Sequence, residues 1–173
     1  RSPSDVTFGI RVLALAGMLA TGPADARRSD RNQPMDIDAG RQEGSLDDSG
    51  PIVLSGGVVI TQGTMHVESD RAEITLRGGE IQRVVLTGSP ATMRQETDDG
   101  SPMTARGQRI DYNVADETMV ITGDAHVEQP QGNMASQRIV YNMQTERVEA
   151  GGEGAGRVQM RIQPRAQREG GGD

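Results

Sequence analysis

Few side chains in this chain are equipped for catalysis. His66 and His126 are the only histidines, and neither has a second ligand at the short spacing that a helix- or hairpin-borne metal pair requires. Asp36-x-Asp38 is too short for a calcium loop and lacks the downstream glutamate. Glu68, Glu73 and Glu128 are scattered carboxylates that a β-fold could bring together only by accident, as carbohydrate-active enzymes pair theirs by design. No Gly-x-Ser-x-Gly elbow, phosphate-binding loop or dinucleotide fingerprint occurs. Cysteine is absent, which removes disulfides and thiolate ligands. The expectation is a protein that is not an enzyme and holds no cofactor or metal.

Charge narrows the partners. The net charge of −7 argues against a nucleic-acid binder, which carries a basic footprint. Every basic residue is Arg and none is Lys. The forked guanidinium suits oxyanions such as phosphate, although a composition bias of the genome accounts for the same observation. Arg71, Arg109 and Arg138 recur at matching places in the chain, where a cross-strand ion pair and a phosphate contact are both open readings.

The elements that must carry these residues are strands. Residues 34–162 break into runs of four to seven with apolar residues at every second position, separated by turn formers. Leu54, Gly56, Val58 and Ile60 share one face, followed after Gln62-Gly63 by Met65 and Val67, then Ala72, Ile74 and Leu76. Ile121, Gly123, Ala125 and Val127 repeat the pattern, followed by Met134 and then by Ile139, Tyr141 and Met143. His66, Glu68, Glu73, His126, Glu128 and Arg138 fall on the opposite, wet face. Twenty-three glycines, many in Asp-Gly, Gly-Gly and Ser-Gly pairs, mark frequent tight turns. Aromatic residues are only Phe8, Tyr112 and Tyr141, so the core must be aliphatic and rich in Met.

The chain contains one segment twice. VLSGGVVITQGTMHVESDRAEI (53–74) aligns without a gap with VITGDAHVEQPQGNMASQRIVY (120–141), matching Leu54 to Ile121, Gly56 to Gly123, Ile60 to Val127, Ser69 to Ser136 and Arg71 to Arg138. A fainter copy, LTGSPATMRQE (86–96) with MTARGQRIDYN (103–113), places Gly88 and Arg109 in register. Such repetition implies stacked supersecondary units sharing a continuous core. Gly56, Gly88 and Gly123 recur on the inner face where a β-branched residue would be usual, which marks bends or bulges.

The ends differ from this array. Arg11 precedes the apolar run VLALAGMLA (12–20), too short to span a bilayer, and Ala24-Asp25-Ala26 supplies a signal-peptidase pattern. Residues 1–26 are therefore expected to be a signal peptide cleaved after Ala26, with 27–33 a flexible segment, 34–162 the folded domain and 163–173 a disordered tail.

The repeats resemble the OstA-like family of periplasmic lipopolysaccharide-transport protein A. LSGGVVITQGTMHVESDRAEITLRGGE (54–80) is similar to the family's first repeat, with its Gly-x-Val-x-Ile-Thr-Gln-Gly string. LTGSPATMRQ (86–95), GQRIDYN (107–113) and VITGDAHVEQPQGNMASQRIVYN (120–142) are similar to later strands, and QPMDIDA (33–39) to the opening one. The resemblance implies an all-β fold, a twisted β-jellyroll of about 14–16 short antiparallel strands, open at both ends. It also implies a periplasmic carrier whose partners are lipopolysaccharide, an inner-membrane component (LptC), an outer-membrane component (LptD) and further copies of itself joined end to end. Met35 and Ile37 of the opening strand, Met93, and Tyr112 and Val114 of the middle strand match positions that face the family's groove. With Leu54, Val58, Ile60, Ile74, Ile121, Val127 and Tyr141 they make up the expected acyl-chain lining. Met93 stands where the family often has a larger apolar residue.

The composition is compatible with such a cargo. Met, Val and Ile leave a soft lining where large aromatics would fill a groove, and Met adapts to an irregular guest. Met35, Met65, Met93, Met134, Met143 and Met160 all fall on apolar strand positions, where ordinary core filling is the competing reading. The open terminal strands, near Met35–Asp38 and near 157–162, are expected to recruit other strands. The alternative function is a structural β-polymer that carries no lipid.

Overall fold

The computed structural model describes residues 30, 33–45, 49–97, 99–152, 154 and 156–164. The expected signal peptide and most of the flexible segment and C-terminal tail lie outside the described residues. Among those described, nine strands form one antiparallel sheet. They are β1 (Met35–Glu43), β2 (Ile52–Gln62), β3 (Met65–Arg77), β4 (Glu80–Glu96), β5 (Pro102–Asn113), β6 (Thr118–Gln129), β7 (Gly132–Asn142), β8 (Arg147–Ala150) and β9 (Gln159–Ile162). Strands β1 to β8 follow one another in sequence order, and β9 returns to pair with β7 beside β8. The sheet is not closed: β1 pairs only with β2.

The strands are fewer and longer than the 14–16 short ones expected, and the reason is physical. Most of the long strands carry an irregularity near the middle, so that what reads in the sequence as two short strands is one strand bent in two. The register shifts lie at Ala39/Arg41, Ser55/Val58, Glu68/Arg71, Thr87/Ala91, Arg106/Arg109 and Thr122/Ala125. Each is the neighbour of the next across the ladder, so together they form a continuous crease. In β3 the buried positions run Val67, Ser69 and then Ala72, Ile74, a change of parity that only an extra residue at the crease permits. Strand β5 does the same between Gly107 and Ile110, and β7 between Ser136 and Ile139.

Gly56 and Gly57 sit in the crease with φ of +83° and +81°, and Gly123 repeats this at +74°. Side chains rarely adopt that conformation, which confirms the bends expected at these glycines. The twin segments fold as twin hairpins, β2–β3 and β6–β7. Their burial agrees position by position: Leu54 and Ile121, Ile60 and Val127, and the serines Ser69 and Ser136 all turn inward.

Folding at the crease turns one face of the sheet upon itself and creates the interior. Val58, Ala72, Ala91, Ala105, Ile110, Ile121, Ala125 and Ile139 fill it at the bend. Small residues there let the two halves approach. Burying each larger aliphatic side chain contributes about 1.5–3 kcal/mol.

Candidate functional site

Where the two halves diverge from the crease, the interior widens into a cavity of about 690 Å³. Its position follows from the bend. Ile81 and Val84 from the start of β4 line it, and so do Met93, Gln95 and Glu96 from the end of the same strand. A straight strand of 17 residues would hold its ends about 50 Å apart at ~3.3 Å per residue, so only a folded strand can present both to one cavity. The opening thus lies between two rows of turns. One row carries Gln62, Glu96 and Thr97, the other Glu80, Val114, Glu117 and Gln144.

Seven of the twelve residues expected to line an apolar groove do so: Met35, Ile60, Ile74, Met93, Tyr112, Val114 and Tyr141. Val114 lies in the turn after β5 rather than in a strand; its amide donates to the Gln82 carbonyl at 3.0 Å, which holds it over the opening. Tyr141 is almost fully buried, and Gln129 Nε2 donates to its hydroxyl at 3.2 Å. Leu54, Val58, Ile121 and Val127 face inward but belong to the packed region, where neighbouring side chains fill the space. They are core residues and do not border the cavity. Ile37 is 44% exposed: it lies on the edge strand β1, which has a neighbour on one side only, and it does not reach the cavity.

Sequence reading missed Met65, Val67, Ile81, Val84, Leu86, Met103 and Met143 as lining residues. Alternation along β3 placed Met65 and Val67 inward, which was signal enough to include them. Ile81 was hidden, because the register shifts between Thr75 and Leu76, pairing Leu76 with Ile81 but Thr75 with Arg83; the extra residue breaks the period-two pattern. Of the six methionines placed on apolar positions, Met35, Met65, Met93 and Met143 line the cavity, Met134 packs against the core, and Met160 is exposed.

The outer face is polar and ion-paired. Arg71 Nη2 lies 2.9 Å from Glu73 Oε1, and Arg109 Nη2 lies 3.4 Å from Asp111 Oδ2, so two of the three recurring arginines are held by carboxylates within their own strands. His66 Nε2 bonds Glu68 Oε1 at 2.9 Å on the same face, and this bond holds the Glu68 carboxyl below its ordinary pKa. His126 Nδ1 lies 2.8 Å from the Asp124 carbonyl. Among the described residues no group of three or more His, Asp or Glu side chains could hold a metal ion, and no helix is long and apolar enough to cross a membrane. The arrangement offers an open-mouthed cavity with a largely aliphatic, adaptable lining and with carboxylates of Glu80, Glu96 and Glu117 along its rim.

Comparison with known proteins gives this geometry a family. The chain is 34% identical over 142 residues to the lipopolysaccharide export system protein LptA of Escherichia coli, covering 80% of this chain and 76% of that one. It is 32% identical over 143 residues to the lipopolysaccharide export system protein LptH of Pseudomonas aeruginosa, covering 81% of each. The crystal structure of LptH, described as the LptA-homologous periplasmic component of the lipopolysaccharide transport device of that organism, superposes with a TM-score of 0.70 at 30% identity, covering 79% of this chain and 99% of that one. The family described as LptA/(LptD N-terminal domain) LPS transport protein matches residues 36–147, and this chain belongs to it.

Proposed function

We propose that this protein is a periplasmic carrier of lipopolysaccharide that shields acyl chains in its groove between the inner and outer membranes, binding cargo without making or breaking a bond. The observation that carries the reading is the apolar cavity left open between the two halves of a folded sheet. Each methylene moved from water into such a lining contributes about 0.8 kcal/mol, so ten contribute about 8 kcal/mol before the costs of association. Five methionines in the lining fit a cargo whose chains vary in length and position, since unbranched thioether side chains re-pack readily. The open edges at β1 and β9 fit pairing with an inner-membrane component, an outer-membrane component and further copies of the chain.

A photo-crosslinking amino acid placed at Ile60, Met93 or Tyr112 tests the carrier. The control is His66, which points from the outer face towards Glu68. Capture of lipopolysaccharide in cells is expected at the three cavity positions and not at His66. Absence of capture at all four, in variants that fold and are exported, would favour the lipid-free structural polymer.

A further inference from the structure

We propose that copies of this chain join in one fixed register, with Arg161 of β9 opposite Asp36 of the next copy's β1 and Met160 opposite its Ile37. The proposal rests on the reading that copies pair at these open edges, and it specifies how. The ladder itself supplies the register. Starting from Ile37, partner leads to partner through Ile60, Met93 and Val127 to Met160. Every member of this row is apolar, and the whole row lies on one side of the crease. It ends at both edges on exposed side chains, Ile37 at 44% and Met160 at 59%.

The neighbouring row on the outer face ends in opposite charges. It runs from Asp36 through Thr61, Arg94 and Glu128 to Arg161, and the next outer row runs from Asp38 through Val59, Arg106 and Ala135 to Gln159. Asp36, Asp38, Gln159 and Arg161 are all exposed. Continuing each row by one antiparallel strand sets Met160 against Ile37, Arg161 against Asp36, Gln159 against Asp38 and Ile162 against Met35. Apolar side chains then meet on the inner face. On the outer face a guanidinium meets a carboxylate, and opposite charges directly across a strand pair attract where like charges repel.

Other registers fail on the same rows. A slip of one residue turns Met160 towards an aspartate and Arg161 towards an apolar side chain. A slip of two offers a new charge pair, Arg161 with Asp38, but the crease opposes it. The far edge consists of two short strands, β9 against residues 132–135 of β7 and β8 against residues 139–142, and the gap between them falls at the crease. Strand β1 shifts register at the same level, between Ala39 and Arg41. On the β8 half, the row from Gln42 leads through Leu54 and Ile121 to Ala150. Only the unslipped register brings the bend of β1 to the gap, so that both halves of the edge are covered at once. It sets Glu149 opposite Glu43, but each is already paired within its own strand, with Arg147 at 3.1 Å and with Arg41. The selective charge pair is therefore the one on the β9 half.

The absence of cysteine makes the register directly measurable. The full chain carrying Ile37→Cys is mixed, under mild oxidation, with a chain carrying either Met160→Cys or Ile162→Cys. Directly opposed residues hold their Cβ atoms about 4.5–5.5 Å apart, close to the span of a disulfide, whereas the diagonal neighbour lies about 7–8 Å away. The 37–160 pair is expected to cross-link about tenfold faster than 37–162. Faster cross-linking of 37–162, or cross-linking of neither, overturns the register. Charge exchange supplies the second reading. D36R and R161D should each weaken self-association about three- to tenfold at low salt, and D36R/R161D, which restores the pair in the reverse sense, should recover the wild-type level. A double variant no better than either single one overturns the Arg161–Asp36 contact. Wild-type chains that sediment as monomers at every concentration would overturn the joining of copies along with the register, whereas capture of lipid at Met93 reads the carrier independently of both.

Discussion

Among single residues, Asp111 is the one most firmly committed to a charged partner. Arg83 Nε donates to its Oδ1 at 2.7 Å, and Arg83 Nη2 donates to Oδ2, from the neighbouring strand β4. The hydrogen bond and charge of Arg83, assisted by Arg109, hold the Asp111 carboxyl below the ordinary carboxylate range against the opposing effect of its partial burial. A pKa lowered on folding gives stability that is fully present above the ordinary value near 4 and is lost as pH falls through the folded value. Asp111→Asn is therefore expected to cost about 0.5–1 kcal/mol at neutral pH. The gap to wild type should close on acidification well below pH ~4. Urea denaturation at a series of pH values checks both; a gap that stays constant down to pH ~2 would assign the loss to packing rather than charge. The pair illustrates what spacing alone could reach. Arg109, two residues from Asp111, was visible as a recurring residue with an ion-pair reading, but Arg83, the stronger partner, is a neighbour only through the register of β4 on β5.

Strand identity was legible because the inner face alternates and the glycines recur, as with Leu54, Val58 and Ile60 against Ile121, Ala125 and Val127. Strand number was not, since a bulge and a turn both interrupt alternation; only pairing shows that Thr87 and Ala91 lie in one strand on either side of a crease. The cavity was less legible still. Ile121 and Ile74 carry equal inward signals, yet one is core and the other lines open space, because the distinction depends on distance from the crease, which no local pattern encodes. The crease makes its own demand at Gly40, where β1 crosses β2. A Cβ built there would meet the Gly56 carbonyl oxygen at 2.9 Å and its Cα at 3.3 Å. Both are backbone atoms that cannot turn aside. Gly40→Val should force the two strands apart at a cost of about 1–3 kcal/mol, local to β1. Amide exchange across 36–42 should accelerate by roughly ten- to a hundredfold while β5 to β7 keep their protection. Unchanged exchange in β1 would mean that the edge strand adjusts freely and that the close approach there is incidental.

At the scale of the whole molecule, an unclosed sheet has two unlike ends. One is the outer edge of β1, where Ile37 is 44% exposed. The other is formed by β9, where Met160 and Ile162 are 59% and 74% exposed and all four residues face solvent. Unpaired strand edges with exposed aliphatic side chains template further strands, and unlike ends that fit each other give head-to-tail contacts, whereas a self-complementary edge gives closed dimers. The expected end-to-end assembly therefore makes a prediction that neither end shows alone. Ile37→Lys should block the β1 end, since a lysine on an edge strand opposes further pairing, and deletion of 157–162 should remove the other. Each variant alone should sediment as a monomer. An equal mixture should form dimers and nothing larger, because the intact β9 end of the first meets the intact β1 end of the second, and the double variant should stay monomeric in any mixture. Dimerisation of either single variant by itself would instead show that like ends pair, and a chain of carriers extending from one membrane towards the other could not be built that way.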